Sequence, residues 1–165
     1  MTSNQKGAIA EAEIYCAAIW AGVPVAKPMS EHGRADLVLE LGGSLHRIQC
    51  KWGNLSKGVV SVRMGTCRLT PRGYVRTTYD AREVDAFGIY CAALDKCYLL
   101  PIEEASGQIH IHLRVKPAMN NLRAGVKWAA QFEFPGAIAQ LGERRSGRPK
   151  AAGSSPASST RVRLG

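Results

Sequence analysis

Residues 33–52 read GRADLVLELGGSLHRIQCKW, and this stretch decides the fold. Apolar residues recur at every second position on both sides of Gly42-Gly43, a pair suited to the positive φ angles of a tight hairpin turn. A two-residue loop there pairs Leu41 with Ser44, and counting outward sets Asp36 across from Gln49. Side chains alternate across a strand, so one face holds Leu37, Leu39, Leu41, His46, Ile48 and Cys50 and is the core face. The other holds Asp36, Val38, Glu40, Leu45, Arg47, Gln49 and Lys51. Asp36, Gln49 and Lys51 therefore converge at the open end of the hairpin, and that end is a candidate site.

The chain around it has 165 residues, enough for one domain with a substantial core. Its net charge of +9 points to a polyanionic partner, nucleic acid ahead of an anionic membrane surface. Residues 1–135 hold 16 Lys/Arg against 12 Asp/Glu, whereas residues 136–165 hold six against one. Five cysteines, odd in number and without a C-x-x-C pair, argue against zinc and against a disulfide framework. Neither a membrane-length apolar run nor a signal-peptide pattern is present, so a cytoplasmic location without membrane association is expected.

Upstream, residues from Thr2 to Trp20 have helical spacing, with Ser3 or Asn4 as cap and Gly22 and Pro24 as terminators. Ala8, Ile9, Ala12, Tyr15, Ala18 and Ile19 form the expected buried stripe. Glu11 borders that stripe, either as an exposed edge carboxylate or as a group reaching the end of the sheet. Val23–Pro28 reads as an edge strand, and His32 as a solvated loop residue.

Downstream, Lys57, Arg63, Arg68, Arg72, Arg76 and Arg82 lie in a segment whose only acid is Asp80. Val60, Val62 and Met64 suggest a third strand, and Cys67–Thr78 a loop or a second ribbon. Cations interleaved with Ser, Thr and Tyr suit phosphate contacts. Val84–Leu100 reads as strand, turn, strand, and 109–114 as another strand with His110 and His112 on an exposed face. Asn120–Phe134 is expected to form a short helix packed on the sheet. The domain is expected to span 1–134, followed by a basic, disordered tail over 135–165. IAQLGER and GSSP within that tail match translations of a tRNA D-arm and T-arm. The reading frame is therefore expected to run into a tRNA gene.

Phosphodiester hydrolysis needs an activated water and a cation to offset charge on phosphorus, and a divalent metal on hard oxygen ligands meets both needs. Asp36 would bind it directly, Glu11 through a water, and the Cys50 carbonyl sideways from the strand. Lys51 would orient the water or stabilise the developing oxyanion.

Asp36 followed by Gln49-Cys50-Lys51, with a helical Glu11 before them, resembles the PD-(D/E)XK nuclease superfamily. Gln49 stands where Asp or Glu is usual, and Ala35 where Pro is common. The Gln variant is similar to intron-encoded homing endonucleases of this superfamily. RADLVLE, IQCKW, VDAFGIYC, CYLLP and the late NNL…GVKWA carry that likeness over roughly residues 4–134. The resemblance implies an α/β, restriction-endonuclease-like fold, a mostly antiparallel mixed sheet flanked by helices. It also implies Mg²⁺-dependent cleavage of double-stranded DNA, with Mn²⁺ as a substitute, by a homodimer or higher homo-oligomer. Glu11, Asp36, Gln49 and Lys51 become the catalytic set, and Lys57, Arg63, Arg68, Arg72 and Arg76 the DNA contacts. A junction-resolvase-like nuclease and a non-catalytic nucleic-acid-binding protein are the alternatives.

Overall fold

The hairpin forms in the register that alternation predicts. In the computed structural model, β2 (Leu37–Leu41) pairs antiparallel with β3 (Ser44–Ser56), Leu41 opposite Ser44 and Leu37 opposite Ile48. Gly42 and Gly43 take φ angles of 59° and 75° in the turn. All six residues of the expected core face are buried. The structure describes residues 1–29, 33–71, 73–105, 107–117, 125–138 and 141, with side chains at 66–70, 75 and 76 excepted. His32 lies outside them.

Helix α1 (Ser3–Trp20) precedes the hairpin, and a capping box satisfies its first turn. The cap is Thr2 rather than Ser3 or Asn4. Its hydroxyl accepts from the Gln5 N–H at 3.2 Å, and the Gln5 side chain accepts from the Thr2 N–H at 2.8 Å. The buried face overlaps the expected stripe only in part. Ala18 is buried as expected and Ile9 packs half-buried against the core, but Ala10 and Ile14 are buried where Ala8 and Ala12 are exposed, Ile19 is 55% exposed and Tyr15 36%. Two apolar stripes run along this helix, and packing selects the one the sheet can receive. Gly88 makes the room: a Cβ there would stand 2.9 Å from Ile14 Cγ2.

Eight strands form one mixed sheet around β3, with β1 (Val25–Ala26) at the edge beside β2. The first half of β3 lies between β2 and β7 (Ala86–Cys91), which runs parallel to it, and β8 (Lys96–Pro101) pairs with β7. The second half of β3 turns into another neighbourhood, pairing with β4 (Val59–Arg63), which pairs in turn with β9 (His110–Arg114). Gly53 is the joint, since a Cβ there would lie 2.6 Å from Val60 Cγ1 and 3.2 Å from Ile89 Cγ2. One core cluster fills the space between the sheet and α1. A second, containing Val60, Val62, Phe87, Ile89, Ile111 and Leu113, fills the opposite face.

The segment at 66–77 is a second ribbon, β5 (Thr66–Thr70) against β6 (Gly73–Thr77). The expected helix at Asn120–Phe134 does not appear among the described residues there. Instead Lys127–Trp128 form β10, which runs parallel to β9 and extends its edge, and Ala129–Gln131 make a single 3-10 turn. Ala129 and Phe132 still supply the apolar anchors. Packing continues past residue 134, with Ala137 and Leu141 buried against the α1 layer. Residues 142–165 lie outside the described residues. Among the described residues, no helix is long and apolar enough to cross a membrane.

Candidate active site

Asp36 stands just before β2, where its backbone N–H still donates to the Ile48 carbonyl at 2.9 Å. From Gln49 to Trp52 the only strand paired with β3 among the described residues is β7, and on the other edge the Asp36 side chain takes the place of a neighbour. Its Oδ2 accepts from the Cys50 N–H at 2.7 Å and from the Gln49 side-chain amide. In an extended strand the N–H and C=O of one residue project to the same edge. The Cys50 carbonyl therefore points toward the Asp36 side while its thiol is buried beneath the sheet. Burial pushes the Asp36 carboxyl up, the Cys50 N–H pulls it down, and the Glu11 charge raises it again; the net shift is upward.

Lys51 lies on the same face as Gln49. Burial holds its ammonium below the ordinary lysine range, Asp36 opposes that shift, and the Arg34 charge adds to it. Its Nζ donates to the Tyr79 hydroxyl at 3.1 Å and sits 4.7 Å from the ring centre. The Arg34 guanidinium lies 4.1 Å from the same ring, and Phe87 meets it edge-on at 5.4 Å.

Two arginines of the hairpin bring Tyr79 here. Arg34 donates to the Thr78 carbonyl at 3.1 Å and pairs with Glu83 at 3.2 Å. Arg47 grips Asp85 through its backbone N–H at 2.8 Å, Nε at 3.1 Å and Nη2 at 3.2 Å, and also donates to the carbonyls of Ala81 and Arg82. Arg34 opens the RADLVLE stretch that carries the family likeness, but neither Arg47 nor Tyr79 carries a motif signal. Tyr79 is 28 positions from Lys51, and only the folded chain reveals the pairing.

Asp36, Gln49, Cys50 and Lys51 are thus assembled as the hairpin register requires. Glu11 reaches them electrostatically from α1, where its carboxylate is paired with Lys27. The basic residues disperse. Lys57 lies on the β3–β4 turn and Arg63 on β4, next to the Val62 that pairs with Gly53, and Arg82 pairs with Asp80 at 3.0 Å. Arg72 and the side chains of Arg68 and Arg76 lie outside the described residues.

The donor set fits one hard divalent cation only in part-protein ligation. Among the described residues, no group of three or more His, Cys, Asp and Glu side chains could hold a metal. Gln49 adds no anionic ligand, since its side chain is a neutral amide that donates to Asp36, and the Glu11 carboxylate is paired with Lys27. What remains is a half-buried, upshifted carboxylate, a strand-edge carbonyl and a nearby Glu. Mg²⁺ suits that arrangement, since it keeps several waters and is held by one or two carboxylates.

A sequence model of the PD-(D/E)XK endonuclease family matches residues 1–135. The chain belongs to that family. It is a nuclease, and nucleases of this family generally use divalent metals. Among solved structures, a bacterial homing endonuclease, I-Ssp6803I, aligns with a TM-score of 0.70 at 23% identity, over 88% of this chain and 99% of that one. That likeness confirms the restriction-endonuclease-like α/β fold. No curated protein matches the chain.

Proposed function

We propose that this nuclease is a metal-dependent endonuclease acting on double-stranded DNA, of the site-specific homing type. The observation that carries the reading is the Asp36–Cys50–Lys51 juxtaposition, a disfavoured carboxylate beside a strand-edge carbonyl and a half-buried ammonium. Asp36 and the Cys50 carbonyl would hold the cation, with Glu11 contributing through a water once released from Lys27. The bound cation supplies Lewis-acid charge at the phosphate and eases ionisation of a water. Gln49 fixes the Asp36 rotamer through its amide donor. Lys51 donates to the attacking water or to the developing charge on phosphate, and Tyr79 holds its ammonium in place. The homing endonuclease fold and the basic chain support duplex DNA as substrate. One such site cuts one strand, so the reading includes a homodimer or higher oligomer.

The test is nicking and linearisation of supercoiled plasmid with Mg²⁺ or Mn²⁺ by wild type, Asp36→Ala and Lys51→Ala. Wild type is expected to cut and both variants to lose at least about 10²-fold in rate. Cutting that survives both substitutions, or that persists in excess EDTA, would sink the assignment.

A further inference from the structure

Six ion pairs occupy lysines and arginines among the described residues, and Lys6 and Lys51 lie against the rings of Trp52 and Tyr79. Of the Lys and Arg side chains described, four have no such partner among the described residues: Lys57, Arg63, Arg114 and Lys116. These four belong to one surface.

The register shows how. Arg63 lies opposite His110, Ser61 opposite His112, and Val59 opposite Arg114. Asn54 of β3 joins them opposite Ser61. The alternate positions Val60, Val62, Ile111 and Leu113 are buried, so this row faces outward, and Asn54, Arg63, His110 and His112 are exposed. Lys57 stands on the β3–β4 turn. Lys116 closes against the same turn, its N–H 3.3 Å from the Gly58 carbonyl. The strands and turn that carry this row hold no acid, with no Asp or Glu between Glu40 and Asp80 or between Glu104 and Glu133; Glu133, which lines a cavity with Arg114, is paired with Lys96.

A sheet face that gathers cations without an acidic partner among the described residues, together with hydroxyl, amide and imidazole groups, is matched to phosphodiester oxygens. From Val59 to Arg63 the strand spans about 14 Å at about 3.4 Å per residue. That is the axial rise of about four phosphates on one strand. We infer that the outward face of the β3–β4–β9 sheet is a second DNA-backbone contact surface, separate from the Asp36 site. It binds duplex without reading bases and carries His110 and His112 as contacts. The inference rests on the duplex-DNA reading above.

Anisotropy titration of a labelled linear duplex in EDTA, over a salt series, separates binding from cutting. The Arg63→Gln/Arg114→Gln variant is expected to bind at least about tenfold more weakly, with the log–log salt slope shallower by about 2. Asn54→Lys adds a cation to the exposed row and is expected to steepen the slope by about 1, a gain that misfolding cannot produce. Lys96→Gln, which removes a cation already paired with Glu133, is expected to leave the slope unchanged. Wild-type binding with slopes unaltered in the double variant and in Asn54→Lys overturns the surface while leaving Asp36-dependent nicking intact. A Lys96→Gln effect equal to the double variant's also overturns it, by assigning the loss to net charge. Wild type that binds anionic vesicles but no duplex overturns both this surface and the DNA reading.

Discussion

The two halves of β3 treat charge in opposite ways. Between β2 and β7, the first half half-buries Asp36 and Lys51 and surrounds them with specific partners: the Cys50 N–H, the Gln49 amide, the Tyr79 hydroxyl and ring, and Arg34. Beside β4, the second half borders a face where exposed Lys57, Arg63 and Lys116 and half-buried Arg114 have no acidic partner among the described residues. Partial desolvation moves ionisation equilibria and strengthens local electrostatics, which chemistry on a phosphate requires. Solvated charge does neither, but it attracts a polyanion at long range. On the two proposals above, the same strand would serve a reacting end and a holding end, with Gly53 between them.

Three substitutions sharpen that contrast. The largest effect is expected at Asp36→Asn, which should lower plasmid cutting on the order of 10³-fold. Stability should move the other way. Because folding raises the Asp36 carboxyl, its contribution to stability is present at low pH and is lost as pH rises through the folded-state value. At neutral pH the ionised carboxylate therefore works against folding. The Asn variant should melt at or slightly above wild type at pH 7, and the difference should vanish in acid. An Asn variant both inactive and clearly less stable at pH 7 would break the contrast by making Asp36 a structural residue.

Gly53→Ala comes next. The added Cβ meets Val60 and Ile89 at the point where β3 changes neighbours, and overpacking of this kind costs about 1–3 kcal/mol. Urea unfolding measures it. A neutral result would show that the two halves are not held rigidly to each other.

Tyr79→Phe should have the smallest effect, about tenfold or less in rate, and its signature is a pH profile. The hydroxyl oxygen accepts from the Lys51 ammonium and so favours the charged form. Without it the Lys51 value, already lowered by burial, should fall further, and activity should be lost at lower pH on the alkaline side. A drop equal at every pH would mean that Tyr79 only packs.

The hairpin was legible because its information is local. Alternation specifies the buried face, and two glycines specify the turn, so the Asp36–Gln49 register follows by counting. The buried face of α1 was legible only in part, at Ile9 and Ala18, because Ala8, Ala12, Tyr15 and Ile19 are as apolar as Ala10 and Ile14. Only Gly88, on a strand far along the chain, decides between the two stripes. The 127–131 segment failed for a related reason: Trp128, Ala129 and Phe132 fit helical spacing, but the free edge of β9 offers backbone partners, and short apolar runs follow their surroundings.

By itself the sequence determined the hairpin, its register, and therefore the alignment of Asp36, Gln49 and Lys51, since strand periodicity is a property of neighbouring residues. Tertiary structure decided everything that depends on distant segments meeting. It brought Tyr79 to Lys51 through the grips of Arg34 and Arg47, and it set Arg63 beside His110 by pairing β4 with β9. Burial does the rest: how far Asp36 and Lys51 are withdrawn from water is fixed by what packs around them, and no spacing in the chain encodes it.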